Sequence, residues 1–96
     1  MPVQMGTTSV FSHYPNQYMW TGTGPREVVK NIPFPKPFKG TPKVTAALSA
    51  IDASNGRNLR VVVTCDAITD HGFNVRVATY ADTAIAAASI SWIATD

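Results

Sequence analysis

The sequence has little of what metal-dependent and disulfide-stabilised proteins require. It contains one cysteine, Cys65, and two histidines, His13 and His71, which lie far apart without the spacing of metal ligands. A single cysteine excludes an internal disulfide and a cysteine-based zinc site, and we expect neither a metal nor another cofactor. No apolar run approaches the length that crosses a membrane, so membrane insertion is not expected.

Charge is also scarce. Charged residues make up 15% of the 96-residue chain, whereas they make up about a quarter of an average soluble protein. The formal net charge is only +2, and the lysines and arginines form no cluster. This balance argues against nucleic acid or an anionic membrane as a partner. It favours a neutral ligand.

The sequence motifs of the common enzyme classes are missing as well. There is no paired-carboxylate motif, no glycine-rich phosphate loop and no Gly-x-Ser-x-Gly sequence. We therefore assign no catalytic residue and do not expect an enzyme. The first ten residues, MPVQMGTTSV, lack the charged and apolar regions of a signal peptide. The compartment is left open between the cytoplasm and a mature secreted form.

What the chain does contain is a series of short segments in which apolar residues alternate with others. A period of two residues indicates strands with one buried face. Six segments show it: 3–11, 26–34, 43–51, 59–67, 73–78 and 89–94. Turn signals such as Asn55-Gly56 separate them. The pattern predicts a single all-β domain over residues 1–96, a six-stranded antiparallel β-sandwich.

Several local features refine this prediction. Pro33 lacks a backbone donor and places the segment 26–34 at a sheet edge. Residues 72–95 predict two strands joined as a hairpin, with at most a helical turn at 84–88. Leu59, Val61, Val63, Cys65 and Ala67 line the apolar face of one strand, so we expect this face in the core and Cys65 to be a small buried core residue.

The segment 12–25 is an aromatic loop. It combines two prolines and two glycines with the large rings of Tyr14, Tyr18 and Trp20, a composition typical of loops. The rings either cover an open end of the core or form a binding surface. The sequence leaves both interpretations open.

Polar residues with matching spacing occur beside two of the predicted strands. Asn58 and Arg60 lie two residues apart at the start of one strand, and Tyr80 and Asp82 follow the next strand with the same spacing. The start of one antiparallel strand adjoins the end of the next, so the four side chains are expected to converge. Asn and Arg donate hydrogen bonds, Asp accepts them and Tyr offers an aromatic face, as a neutral sugar requires. The alternative is a surface ion pair between Arg60 and Asp82 beside a packed Tyr80.

Short sequence pieces spread over nearly the whole chain resemble a known family. They are VQMG near the start, RE, KNIPF, PF, LSAID, NLRV at 58–61, TDHGF, YADT and SISWIAT. In this order and spacing they resemble the H-type lectins. These are the galactose- and N-acetylgalactosamine-binding domains of invertebrate agglutinins and of the C-terminal half of discoidins.

The resemblance implies a non-enzymatic, multivalent lectin that serves cell-surface recognition or agglutination. It implies a trimer, sometimes doubled to a hexamer, with each sugar near the junction of two protomers. Asn58 and Arg60 match the polar pair that binds the sugar, and Tyr80 falls where the family often has a tryptophan. The family's loop aspartate has no counterpart, because residues 12–25 include no acidic residue. Thr21, Gly22 and Thr23 occupy that region instead.

A second hypothesis from another functional class is a trimerising adhesion or structural module of a larger fibre or tail protein, with an altered or lost sugar site. Glycan binding by the domain separates the two hypotheses. The small-residue face of 43–51 and the face that carries Val62 and Thr64 are the expected contact surfaces between protomers.

Overall fold

The structure is a computed structural model that describes residues 3–12 and 18–96. It contains six strands and one short helix. The strands are β1 (Val3–Phe11), β2 (Arg26–Pro33), β3 (Lys43–Ala53), β4 (Val62–Asp66), β5 (Gly72–Thr79) and β6 (Ile85–Thr95), and the helix is α1 (Tyr18–Thr21). Tyr14 lies outside the described residues, and α1 forms part of the segment that the sequence assigned to a loop.

The strands form two antiparallel three-stranded sheets, ordered β1-β6-β3 and β2-β5-β4, that pack as a sandwich. The predicted all-β sandwich is therefore confirmed. Strand β2 is an edge strand, as Pro33 indicated. The most buried strands, β5 and β6, are the central strands of the two sheets, and each buries its alternating face against the other sheet.

The predicted hairpin of residues 72–95 is wrong. Strand β5 pairs with β2 and β4, whereas β6 pairs with β1 and β3, so the chain crosses from one sheet to the other between them. Alternation cannot distinguish the two arrangements, because strands that pair and strands that face each other bury the same side chains. The helical turn that the sequence allowed at 84–88 does not form: β6 begins at Ile85, and Ala88 pairs with both Phe11 and Ile51. Cross-strand pairing overrides the weak helical preference of this alanine run.

The fourth predicted strand is shorter than expected. Residues 58–61 precede β4 in an irregular segment. Leu59, which was expected in the core, is 59% exposed, and Ala67 has a left-handed backbone with φ of 50°. Cys65 is half-buried and packs against the core rather than lying fully within it. This burial, and secondarily the charge of Asp66, raises the pKa of its thiol.

Four aromatic rings close the core at the end of the sandwich that contains the crossover between β2 and β3. Phe34 lies between 4.9 and 5.7 Å, centre to centre, from the rings of Phe38, Phe73 and Trp92. Phe73 and Trp92 meet edge to face at 5.5 Å, a favourable geometry for aromatic pairs. At the opposite end, where β5 ends and β2 begins, Met19 of α1 is buried in the core beside polar side chains and loops.

We expect Gly72→Ala to destabilise the domain. A Cβ atom at this position would lie 2.5 Å from the Ile32 carbonyl oxygen and 3.0 Å from Pro33 Cα. Both are backbone atoms of the paired strand β2, so relief requires the strands to separate. A loss of roughly 1–3 kcal/mol in unfolding free energy is expected, measured by urea denaturation. Gly56→Ala is the control, because its added Cβ would meet only the Ser54 hydroxyl, at 3.8 Å.

Candidate functional site

The polar end of the sandwich is organised by one buried arginine. Arg26, the first residue of β2, is only 7% exposed. Its guanidinium donates hydrogen bonds to main-chain carbonyl oxygens in two separate loops, those of Tyr18, Met19, Gly24, Ala81 and Thr83. A delocalised cation with a rigid set of donors suits this arrangement. Arg26 therefore fixes the segment 18–25 against the β5–β6 loop.

The segment 18–25 and the β5–β6 loop each contain a residue with a left-handed backbone where they meet. Gly24 has a positive φ of 76°, and its N–H donates to the Ala81 carbonyl at 2.9 Å. Ala81 is itself left-handed, with φ of 61°. Gly22 is packed tightly, since a Cβ there would lie 2.6 Å from the Tyr18 carbonyl oxygen and 2.8 Å from Arg26 Cδ.

Two buried threonines hold the irregular segment 58–61 against the end of β5. The Thr83 hydroxyl donates to the Asn58 carbonyl at 2.6 Å and accepts the Arg60 N–H at 3.1 Å. The Thr79 hydroxyl donates to the Arg60 carbonyl. The main-chain N–H and carbonyl of Arg60 are both hydrogen-bonded, which fixes the backbone from which its side chain extends to the surface.

The structure brings together three of the predicted site residues by direct contact. Arg60 Nη1 lies 3.4 Å from Asp82 Oδ1, and the guanidinium carbon lies over the Tyr80 ring, 5.7 Å from its centre. The Arg60 and Asp82 side chains are 35% and 49% exposed. This contact includes the ion pair of the alternative hypothesis. At such exposure the pair adds little to stability, and both groups face solvent.

The other predicted residues lie in the same region. Asn58 is exposed, and its carbonyl is bound by Thr83. Thr21 and Thr23 are exposed and Gly22 is half-buried, all within the segment that Arg26 fixes. One end of the sandwich therefore carries all the positions that the sequence singled out. Their role in ligand binding stays a prediction.

A cavity of about 630 Å³ opens beside these residues, on the outer face of the sheet β2-β5-β4. It is lined by Tyr18, Pro25, Arg26, Glu27, Ala78, Thr79 and Tyr80. Of these residues, sequence reasoning connected Tyr80 with ligand binding, and it left Tyr18 open between a cover of the core and a binding surface. The alternation along β5, which points Ala78 and Tyr80 to the same outer face, is the sequence signal that could have located it.

A charged row continues from the cavity along the same face. Arg76 donates to Glu27 Oε1 at 2.8 Å and to Asp66 Oδ2 at 2.6 Å. The hydrogen bond and charge of Asp66, with a smaller effect of Glu27, raise the pKa of the Arg76 guanidinium. Arg76 links the strands β2, β5 and β4 across their solvent face, where its side chain is about one-third exposed.

Within residues 3–12 and 18–96, no group of three or more His, Cys, Asp or Glu side chains is placed to hold a metal ion. In the same residues, no helix has the length and hydropathy needed to cross a membrane.

Comparison with known proteins gives concordant results. The model of the H-type lectin domain matches residues 29–95. A protein of Fuscovulum blasticum, described as ATP synthase subunits region ORF 7, is 39% identical over 93 residues, which are 96% of this chain and 81% of that protein. Two structures of discoidin II from Dictyostelium discoideum, one of the recombinant and one of the wild-type protein, superpose with TM-scores of 0.84 and 0.85 at 26% identity. They cover 97% and 99% of this chain, which spans only 36% of the length of discoidin II. The chain belongs to the H-type lectin family.

Proposed function

We propose that this domain is a non-enzymatic lectin that binds galactose- or N-acetylgalactosamine-type glycans. The observation that carries the proposal is the exposed group of Arg60, Asp82 and Tyr80 in an H-type lectin domain, fixed on a main chain that buried hydrogen bonds hold in place. The group combines charged donors, a carboxylate acceptor and an aromatic ring. These are the contacts that a neutral sugar with several hydroxyls uses.

Each residue has a proposed role in the site. Arg60 and Asn58 donate hydrogen bonds to sugar hydroxyls, and Asp82 both orients Arg60 and accepts a hydroxyl. Tyr80 contacts the apolar face of the sugar. Thr21, Gly22 and Thr23 form the adjacent wall, in the region where related lectins place an aspartate. Because this wall carries hydroxyl and main-chain groups without a carboxylate, it accepts hydrogen bonds less strongly than an aspartate does.

A glycan array probed with the purified domain tests the proposed function. We expect selective retention on glycans that end in galactose or N-acetylgalactosamine, and competition by the free sugar. The rival hypothesis, an adhesion or structural module without sugar binding, predicts no retention on any glycan. Release of a reducing sugar from these glycans would instead indicate a glycosidase.

We further propose that the domain, residues 1–96, assembles as a trimer or hexamer. Several shallow sites on one ring raise the avidity for a multivalent surface without any new contact at the site. The proposed contact faces are solvent-exposed in the monomer, with Val62 48% and Ile51 37% exposed. Native mass spectrometry at micromolar concentration should give a mass in multiples of three chains. A stable monomer in that measurement would contradict the proposal.

Glycan binding is expected to be independent of calcium and zinc. The proposed contacts are supplied by Arg, Asn, Asp and hydroxyl groups, and the described residues offer no carboxylate cluster for a hard cation. Binding to a galactose-agarose column should be unchanged by EDTA. Loss of binding in EDTA, with recovery on addition of calcium, would show that the site is incomplete without a metal.

A further inference from the structure

The outer face of the sheet β2-β5-β4 contains a depression that the proposed contacts at Arg60 do not use. Side chains on β5 alternate between core and solvent, and Arg76, Ala78 and Tyr80 share the solvent side. Ala78 is the small member of this row, and it pairs with Glu27 of β2 on one side and with Val62 of β4 on the other. Val62 belongs to a proposed contact surface between protomers, so the depression lies on the β2 side of this face, next to that surface. The cavity of about 630 Å³ lies above it, within the range of roughly 300–1,000 Å³ that is usual for ligand pockets.

Tyr80 separates this cavity from Arg60. The Arg60 guanidinium lies over the Tyr80 ring at 5.7 Å, so it occupies one face of that ring. Strands β2 and β4 flank β5 on opposite sides, with Arg60 on the β4 side and the cavity on the β2 side. Tyr80 therefore borders both regions, and its ring can contact a sugar at Arg60 and a second sugar in the cavity.

The cavity presents groups that suit an uncharged sugar ring. Tyr18 and Tyr80 are each 48% exposed and offer aromatic surface. Glu27 gives one carboxylate oxygen to Arg76 at 2.8 Å and is half-exposed, so its second oxygen can accept a sugar hydroxyl. The Glu27 N–H donates to the Tyr18 hydroxyl oxygen at 3.0 Å, which fixes that ring at the cavity wall. Arg26 stays positively charged, but its guanidinium already donates to five carbonyl oxygens, so its donors are occupied and it offers the cavity no strong hydrogen bond.

We propose that this cavity is a second sugar subsite, which binds the ring adjacent to the one held at Arg60. The two subsites lie on opposite sides of Tyr80, so together they recognise a neutral disaccharide or longer glycan rather than a single sugar. This inference rests on the proposed lectin function. It assigns Tyr18, Glu27 and Ala78 a part in specificity.

Calorimetric titration of the intact domain tests the subsite. The probes are methyl galactoside and N-acetylgalactosamine as single sugars, with lactose and galactosyl-β1,3-N-acetylgalactosamine as disaccharides. At least one disaccharide is expected to bind about tenfold more tightly than the single sugars, as one added hydrogen bond and a stacking contact provide.

Two variants test whether the cavity provides this gain in affinity for disaccharides. Ala78→Ile fills the floor of the cavity without altering either loop, and Tyr18→Ala removes one wall. Both should abolish the disaccharide gain while they leave the affinity for single sugars unchanged. Val29→Ile is the matched control, because Val29 lies on the same solvent face, 41% exposed and outside the cavity, and this variant should keep the gain.

The possible failures are distinguishable. Disaccharides that bind no more tightly than single sugars, or a gain that persists in Ala78→Ile, overturn the second subsite and leave the lectin function intact. No binding of any of these saccharides contradicts the lectin function itself, and the subsite with it.

Discussion

Arg60→Ala is expected to abolish detectable sugar binding while the domain stays folded. The substitution removes charge-assisted hydrogen bonds worth roughly 1.5–3 kcal/mol, which weakens each site about ten- to a hundredfold. Multivalent binding multiplies this loss across the oligomer. Folding is expected to survive, because Thr79 and Thr83 bind the main chain of residue 60 and not its side chain.

The measurement is agglutination of cells together with binding to a galactose surface, at matched oligomer size and melting temperature. Arg57→Ala is the matched control: it removes the same charge nearby, where the side chain donates only to the Asp82 carbonyl among the described residues, at 3.4 Å. Asn58→Ala should reduce binding by a smaller factor than Arg60→Ala. A folded Arg60→Ala variant that agglutinates cells as well as the parent would remove Arg60 from the site.

Arg26→Met is expected to be the most destabilising single substitution in this region. Methionine preserves much of the side chain's length, but it removes the guanidinium donors to the main-chain carbonyls on both sides of the connection, including the buried bond to the Thr83 carbonyl. The Ala81 carbonyl keeps the N–H of Gly24 as a donor. Unsatisfied buried acceptors each carry a substantial penalty, and a total loss of about 3–4 kcal/mol is expected. Sugar binding should fall as well, because the segment 18–25 and the β5–β6 loop lose their common anchor.

Urea denaturation, read as the shift in midpoint at constant slope, measures this loss. Arg76→Met is the control. Arg76 forms two salt bridges, with Asp66 and Glu27, whereas Arg26 donates hydrogen bonds to main-chain carbonyl oxygens. Arg76 is partly exposed and Arg26 is buried. Arg76→Met should therefore lower the free energy of unfolding less than Arg26→Met, although Arg76 is the residue that forms ion pairs. Equal losses for the two variants would show that the carbonyl contacts of Arg26 do not anchor the loops.

Most of the fold could be predicted from the local sequence pattern. Period-two alternation located all six strands, and Pro33 correctly placed β2 at a sheet edge, because these signals depend on single strands and on missing backbone donors. The same spacing placed Arg60 near Asp82 and Tyr80, since the β4–β5 pair brings the start of one strand to the end of the other. Leu59 was misplaced because alternation cannot show that the chain departs from the sheet before β4 begins.

By itself, then, the sequence determined the antiparallel strands, their buried faces, the family resemblance and the residues at one end of the sheet. Only the tertiary structure decided that β5 and β6 are the centres of opposite sheets, since both arrangements bury the same side chains. The tertiary structure also decided that Arg26 anchors the loops. Its acceptors are main-chain carbonyls, which every residue has, so the sequence gives no pattern that identifies them. The cavity over Ala78 likewise depends on Tyr18, a residue 60 positions away in the chain, and such a distance leaves no local pattern to read.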